Sequence, residues 1–247
     1  MPIVRRNQML IDFHSHFLPA IDDGSRNIKE SVGILDIMAQ SGIDKIIATP
    51  HFYCTEQSSD SFIEHRDDAY EKLRPYLKEE HPEIGFGAEV LYDHSLVNYD
   101  KLPDLCIKGT KWLLLEMPYT NLDDKIISGV EAITNRGDLK VLVAHIERYL
   151  NFTSMKRLDE LMHLELIGQI NAKSLMSFKT RRRCMKLIEK GYVQVLGSDY
   201  HRIGRGDVTI EHGYEVITKN KNFYDFAEYA EDCGKKILAD EPLDRII

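Results

Sequence analysis

Five histidines and three acidic residues are of types that could share one metal cluster: His14, His16, His51, Glu89, Glu116, His145, Asp199 and His201. Imidazole nitrogens mixed with carboxylate oxygens suit Mn, Fe or Zn better than Ca or Mg, which prefer all-oxygen shells. His14 and His16 lie two residues apart, so on an extended backbone both rings point to one side and can grip a single ion. Asp199-x-His201 offers the same arrangement with one oxygen and one nitrogen. The set exceeds the needs of one ion, which implies two or three ions and a bridging carboxylate.

Taken singly, none of these residues decides anything. A His-x-His pair is common, and Glu116, following the apolar run Trp112–Leu115, would be satisfied equally by an arginine. Position gives the set its weight. Short β-rich runs are predicted at Met9–Phe13, Lys45–Ala48, Ile84–Ala88, Trp112–Leu115, Val141–Ala144, Leu166–Ile170 and Val193–Leu196. Amphipathic helices are predicted at Ile28–Gln40, Ser61–Lys78, Asp124–Asn135, Met155–His163, Leu175–Lys190 and Tyr224–Leu238. This βα rhythm of about seven units implies a parallel sheet, open or closed. The candidate ligands fall at or just after the C-terminal ends of six of the seven strands. In a closed parallel barrel those ends open on one face, where active sites form, and that pattern favours the barrel.

Arg148 follows His145 by three residues and Arg205 follows His201 by four, so both are expected in loops at the same mouth, where guanidinium forks match phosphate oxygens. An ordinary surface ion pair accounts for either as well. Asp22 and Asp23 fit an Asx turn with a helix cap and fit a reach into the metal cup equally. His65, His81, His94, His163 and His212 read as surface residues, and Arg181–Arg183 as a solvated helix face. Phe52, Tyr92, Tyr149 and Tyr200 are candidates for the rim, with simple packing as the competing account.

The chain has 247 residues, enough for one sizeable core, and no repeat or linker divides it. A single domain is expected over 1–247, with 1–8 as a short extension. The net charge of −8 disfavours nucleic acid as a partner, and a phosphate-bearing substrate would need local positive charge, which metal ions supply. Cys54, Cys106, Cys184 and Cys233 form no CxxC pair and read as free thiols. No apolar run follows Arg5 and Arg6, and no stretch approaches a membrane span, so a cytoplasmic location without membrane insertion is expected. No Cys is followed by five residues and Arg, and there is no Walker A sequence, Gly-x-Ser-x-Gly elbow or Asp-x-Asp box. A water activated by bound metal is the economical nucleophile that remains.

Asp12-Phe13-His14-Ser15-His16, Thr49-Pro50-His51, Glu89, Glu116, His145 and Ser198-Asp199-Tyr200-His201 together resemble the PHP (polymerase and histidinol phosphatase) superfamily. Leu18–Ser25, Ala48–His51, Gly87–Val90 and His145–Arg148 bring the resemblance nearest to the bacterial capsule and exopolysaccharide tyrosine-protein phosphatases, over Met9 to near the C-terminus. Ile146, in place of that family's usual proline, and Tyr200, between the last two ligands, depart from the pattern without removing a ligand. The resemblance implies a distorted (β/α)7 TIM-like barrel holding three ions, often Mn. It implies a first ion on His14, His16, Glu116 and Asp199, a second on His51 and His145 with Glu116 as bridge, and a third on Asp23, Glu89 and His201. It implies that Arg148 and Arg205 bind phosphate, although the spacing before Arg205 is one residue short.

The implied reaction is hydrolysis of phosphotyrosine on a protein, by a metal-bridging hydroxide attacking in line. The implied partner is a bacterial tyrosine kinase tail that regulates polysaccharide synthesis. A small-molecule phosphatase of the histidinol-phosphatase type, a nuclease (opposed by the acidic charge) and a non-catalytic metal-stabilised binding module are the alternatives.

Overall fold

The protein is described by a computed structural model over residues 8–204 and 208–246. It is a mixed α/β fold built on a curled parallel sheet. Its strands are β1 (Ile11–Ser15), β2 (Lys45–Ala48), β3 (His51–Phe52), β4 (Glu83–Phe86), β5 (Glu89–Leu91), β6 (Trp112–Glu116), β7 (Lys140–Val143), β8 (Ile167–Asn171) and β9 (Val195–Gly197). The helices are α1 (Ile28–Gln40), α2 (Ser59–Leu73), α3 (Asp124–Thr134), α4 (Ile146–Tyr149), α5 (Met155–Met162), α6 (Phe178–Glu189), α7 (Ile210–Thr218) and α8 (Phe226–Leu238). Side chains at the entries of four of them accept a backbone N–H and fix where the helix starts: Asn27 for α1, Ser58 for α2, Asp123 for α3 and Ser154 for α5. The predicted helix over 61–78 ends at Leu73 because Pro75 turns the chain into a short 3-10 segment. The predicted helix over 175–190 starts instead at Phe178, after a separate 3-10 turn at Ala172–Leu175.

The strands pair in the orders β1-β2-β4 and β3-β5-β6-β7-β8-β9, all parallel. The predicted second and third strands correspond to β2 and β4, and after a two-residue break each is followed by a further short strand, β3 and β5, that the sequence pattern does not predict. The breaks lie side by side: Gly87 donates to the Ala48 carbonyl at 2.8 Å and Glu89 to that of Pro50 at 3.0 Å. The paired bend turns His51 and Glu89 inward together, in register with each other. At the other end, a parallel bridge joins Ser15 to Tyr200, and Asp199 donates to the His14 carbonyl at 2.8 Å, so β1 also meets the segment that follows β9.

The register of β1 against β2 shifts between Asp12 and Ser15, where three steps of β1 oppose two of β2. Such a bulge re-aims side chains. Ile11 and Phe13 join an inner apolar cluster with Ile47, Trp112, Leu114, Leu142, Ile167 and Val195. His14 and His16, of the opposite parity, turn to the cup. Asp12 holds the bulge: its buried Oδ1 accepts the N–H of His14 at 3.2 Å and of Ser198 at 2.9 Å. Burial pushes its carboxyl up to about 6 against the pull of those donors.

Replacing Asp12 tests this latch. Asp12→Ala leaves two buried N–H groups without an acceptor and should lower unfolding stability by about 1–3 kcal/mol. Asp12→Asn, which keeps an acceptor oxygen, should cost less. Urea unfolding of both variants gives the comparison, and equal costs would contradict the latch.

Candidate metal centre

Three of the five imidazoles in the cup have their outer nitrogens already committed. His14 Nδ1 faces Gln169 Oε1 at 3.1 Å, His16 Nδ1 faces Asp22 Oδ2 at 2.7 Å and His201 Nδ1 faces the Asp199 carbonyl at 3.0 Å. Each of these acceptors takes an N–H, which fixes the tautomer and leaves a bare Nε2 lone pair directed inward. The Nε2 atoms of His14 and His16 lie 3.0 Å apart. Two neutral nitrogens at that separation repel unless a proton or a metal ion sits between or beside them.

Glu89 lies at the centre. Its buried carboxylate approaches His14 Nε2 at 3.1 Å, His16 Nε2 at 3.2 Å, His51 Nδ1 at 3.0 Å and His145 Nε2 at 2.8 Å. Oε2 of Glu89 and Nδ1 of His51 are nonetheless buried without a hydrogen bond of acceptable geometry, as expected of atoms arranged around an ion. Among the described residues the potential ligand atoms form three groups, each within 4.8 Å: His14, His16 and Glu89; His51, Glu89 and Glu116; and His16, Asp23, His51 and His201. Asp199 Oδ1 stands 3.6 Å from His14 and 3.5 Å from His16, and His145 is 3.5 Å from Glu116. The field in the cup favours positive charge. Burial opposes ionisation of His16, yet Asp22 and Glu89 hold its pKa well above the usual value. Burial likewise opposes ionisation of Glu89, but the surrounding imidazoles keep its carboxyl well below the ordinary range. The donor set fits two or three divalent ions of the borderline class.

The backbone is bent to make this arrangement. His145 and Asp199 both sit at positive φ, 30° and 52°, a costly conformation for residues with a Cβ. At each of them the chain leaves a strand abruptly and turns a candidate ligand over the sheet end. Gly24 is required because a Cβ there would lie 2.1 Å from the His16 carbonyl oxygen, and Gly197 because a Cβ would press on His14 and Gln169 at 2.6 Å.

The eight ligands expected from the sequence therefore converge, with Asp23 beside them: its Oδ1 is 3.5 Å from His51 and 3.3 Å from His201. The groupings of potential ligand atoms cut across the expected division: Glu89 belongs to two groups and Glu116 to one, and His16 and His51 stand with Asp23 and His201 in the third. The bend at Gly87–Ala88 carries Glu89 to the centre. Asp22 also has a part, orienting His16 and accepting the His51 N–H at 3.2 Å. Gln169 and Asn171 were not anticipated. Gln169 also accepts the His145 N–H at 2.9 Å and donates to Asn171, which in turn donates to Asp199 at 2.7 Å. Polar residues at alternate positions of an apolar strand were the available signal.

Arg148 lies on the single turn of α4, where its guanidinium bonds Asp199 and the Tyr119 hydroxyl, the latter at 3.1 Å. It lines a cavity of about 460 Å³ together with Asp23, His51, Glu89, Glu116 and His201. Arg205 lies outside the described residues, as do residues 1–7 of the expected extension. The proposed rim aromatics Phe52, Tyr92, Tyr149 and Tyr200 are all buried. Tyr149 is a clamp: its hydroxyl donates to the Ala144 carbonyl and accepts the Met117 N–H, both at 2.9 Å. Tyr200 nonetheless borders the adjoining cavity with Asp23, Arg148, Asp199 and His201, and Tyr53 and Tyr119 line the one beside Glu89.

Comparison with known proteins agrees with this construction. The family described as "Capsular polysaccharide synthesis, CpsB/CapC" matches residues 10–245. The chain belongs to the CpsB/CapC family. It is 25% identical over 248 residues to the tyrosine-protein phosphatase CpsB of Streptococcus pneumoniae, covering 94% of this chain and 99% of that protein. The tyrosine-protein phosphatase YwqE of Bacillus subtilis is 26% identical over 222 residues, covering 85% and 84%. A solved structure from work on YwqE and CpsB, described as unique metal-dependent tyrosine phosphatases, superposes with a TM-score of 0.74 at 22% identity, covering 94% of this chain and 96% of that one. The fold of this CpsB/CapC member is thus that of those phosphatases.

Gln169 carries a specific expectation. Partners that orient ligating histidines typically contribute 10–100-fold to metal affinity. Gln169→Leu should weaken binding of a divalent probe ion to the stripped protein by about that factor, read by calorimetric titration. Unchanged affinity would show that His14 needs no such support.

Proposed function

We propose that this protein is a metal-dependent phosphatase that hydrolyses phosphotyrosine on protein in capsular polysaccharide synthesis. The observation that carries the reading is the set of inward Nε2 lone pairs around Glu89 with Arg148 beside them: a cation-binding cup and a phosphate-binding guanidinium share one cavity. The relatives' names supply the substrate class. The curled sheet is read as a distorted (β/α)7 barrel, with β2 and β3 counted as one strand, β4 and β5 as another, and the Ser15–Tyr200 bridge at its seam, and the chain as one domain working in the cytoplasm. Among the described residues no helix is long and apolar enough to cross a membrane.

His14, His16, Asp23, His51, Glu89, Glu116, His145, Asp199 and His201 would hold two or three Mn ions, with Glu89 as the shared carboxylate. Fe and Zn suit the same donors. Ions bound there would supply Lewis-acid charge to the phosphoryl oxygens and lower the pKa of a water at the cluster. The residues do the remaining work. Arg148, held in place by Asp199 and Tyr119, neutralises outer phosphoryl oxygens as charge builds on them, joined by Arg205. Asn171 and Gln169 hold Asp199 and His14 in register. The substrate would be a flexible tyrosine-phosphorylated tail of a bacterial tyrosine kinase, which suits a cavity open to solvent.

Steady-state rates test this. With Mn, a phosphotyrosine peptide should be turned over with higher kcat/KM than histidinol phosphate. His14→Ala should reduce turnover to background, and Arg148→Ala should lower kcat/KM by about 10²–10³. Preference for histidinol phosphate would transfer the protein to the small-molecule class. Metal binding without cleavage of any phosphomonoester would make it a binding module.

A further inference from the structure

One wall of the cup is aromatic in a way that neither metal binding nor folding requires. Tyr119, three residues past β6, lines the cavity that holds Glu89, Glu116 and Asp199. Phe152 follows α4 by three residues, and its ring centroid lies 5.4 Å from that of Tyr119 with 31° between the planes. The two side chains are 43% and 47% exposed. Single exposed rings are ordinary on a protein surface, but these two are paired with each other and stand on the site.

Tyr119 is also held. Its hydroxyl accepts from Arg148 at 3.1 Å, and its ring lies 6.1 Å from that of His145 and 6.2 Å from that of Tyr149. Phe152 is positioned by its own N–H, which donates to the Tyr149 carbonyl at 2.8 Å. A row of rings thus runs from a candidate metal ligand outward to solvent.

We propose that Tyr119 and Phe152 are the specificity-determining residues of this site, forming a wall that selects phosphomonoesters of aryl alcohols over those of alkyl alcohols. The proposal rests on the phosphatase reading for its reaction, and the aryl selection stands on this geometry. Arg148 couples the two halves: it touches Tyr119, so a phosphate on its guanidinium places the group esterified to that phosphate beside the ring. A phenyl ester offers a π face for offset or edge packing at 4.5–7 Å. A phosphoserine offers a methylene. Histidinol phosphate carries its ring on an alkyl chain, away from the wall. Phe152 extends the surface outward, where the remainder of a tyrosyl side chain and its backbone emerge.

The test is a ratio that a general structural defect does not move. For the Mn-loaded wild type, Phe152→Ala, Tyr119→Phe and Tyr119→Ala, kcat/KM is measured on p-nitrophenyl phosphate and a phosphotyrosine peptide, and on β-glycerophosphate and a phosphoserine peptide. The aryl-to-alkyl ratio should fall about 3- to 10-fold in Phe152→Ala and more in Tyr119→Ala, and should persist in Tyr119→Phe, which keeps the ring. Equal falls on both substrate classes, or an unchanged ratio, would overturn the proposal. Calorimetric binding of phenylphosphonate against methylphosphonate repeats the comparison without turnover. A preference for phenylphosphonate that is lost in Phe152→Ala supports the wall even if the chain cleaves no phosphoester, in which case only the phosphatase reading fails. No preference in the wild type sinks the wall itself.

Discussion

A carboxylate buried among four imidazoles, Glu89 beneath His14, His16, His51 and His145, is the interaction on which the rest of the molecule depends. An isolated buried charge is too costly to keep. Glu89 is tolerated because every neighbour that approaches it can carry or attract positive charge. The fold is arranged to make that approach possible. The paired bend in the β2/β3 and β4/β5 segments brings His51 and Glu89 inward, the bulge in β1 brings His14 and His16, and two left-handed residues bring His145 and Asp199. Each device spends local backbone stability, and each lies at a strand end that faces the cup.

Support then spreads outward through polar side chains. Gln169 touches His14 and the backbone of His145, and through Asn171 reaches Asp199, which holds Arg148. The candidate metal ligands and Arg148, the arginine proposed to bind phosphate, are therefore members of one hydrogen-bonded network. Shifting β8 would move both. The inner apolar cluster beneath, with Phe13, Trp112 and Leu114, gives this network a rigid floor.

Much of this was legible in the sequence. Apolar runs, most of them with β-branched residues, marked every major strand, and the fall of His and acidic residues at strand ends marked the cup. Strand positions differed by one or two residues because side-chain pattern does not reveal where a ladder hydrogen bond begins. The breaks near Pro50 and Gly87 and the bulge in β1 were hidden, since they depend on pairing between distant segments. The same bends carry Glu89 among four imidazoles, a closeness that sequence position alone did not show, whereas Glu116 as the bridge was what the family resemblance implied. Helix α7 was missed because Gly213 and β-branched residues weaken its local preference; Thr209 and His212 cap it reciprocally. Tyr149 was misjudged as a rim residue for a related reason: it is close to the site in sequence, but its hydroxyl finds two backbone partners inside the protein.

The central claim is that the cup around Glu89 is a cation site. Its most direct test is equilibrium titration of chelator-stripped protein with Mn, with bound metal counted per chain and the thermal midpoint followed in parallel. The account predicts two or three ions per chain, a raised midpoint, and loss of at least one ion in Glu89→Gln. Failure of the stripped protein to take up Mn, Fe or Zn, with a midpoint indifferent to all three, would contradict it.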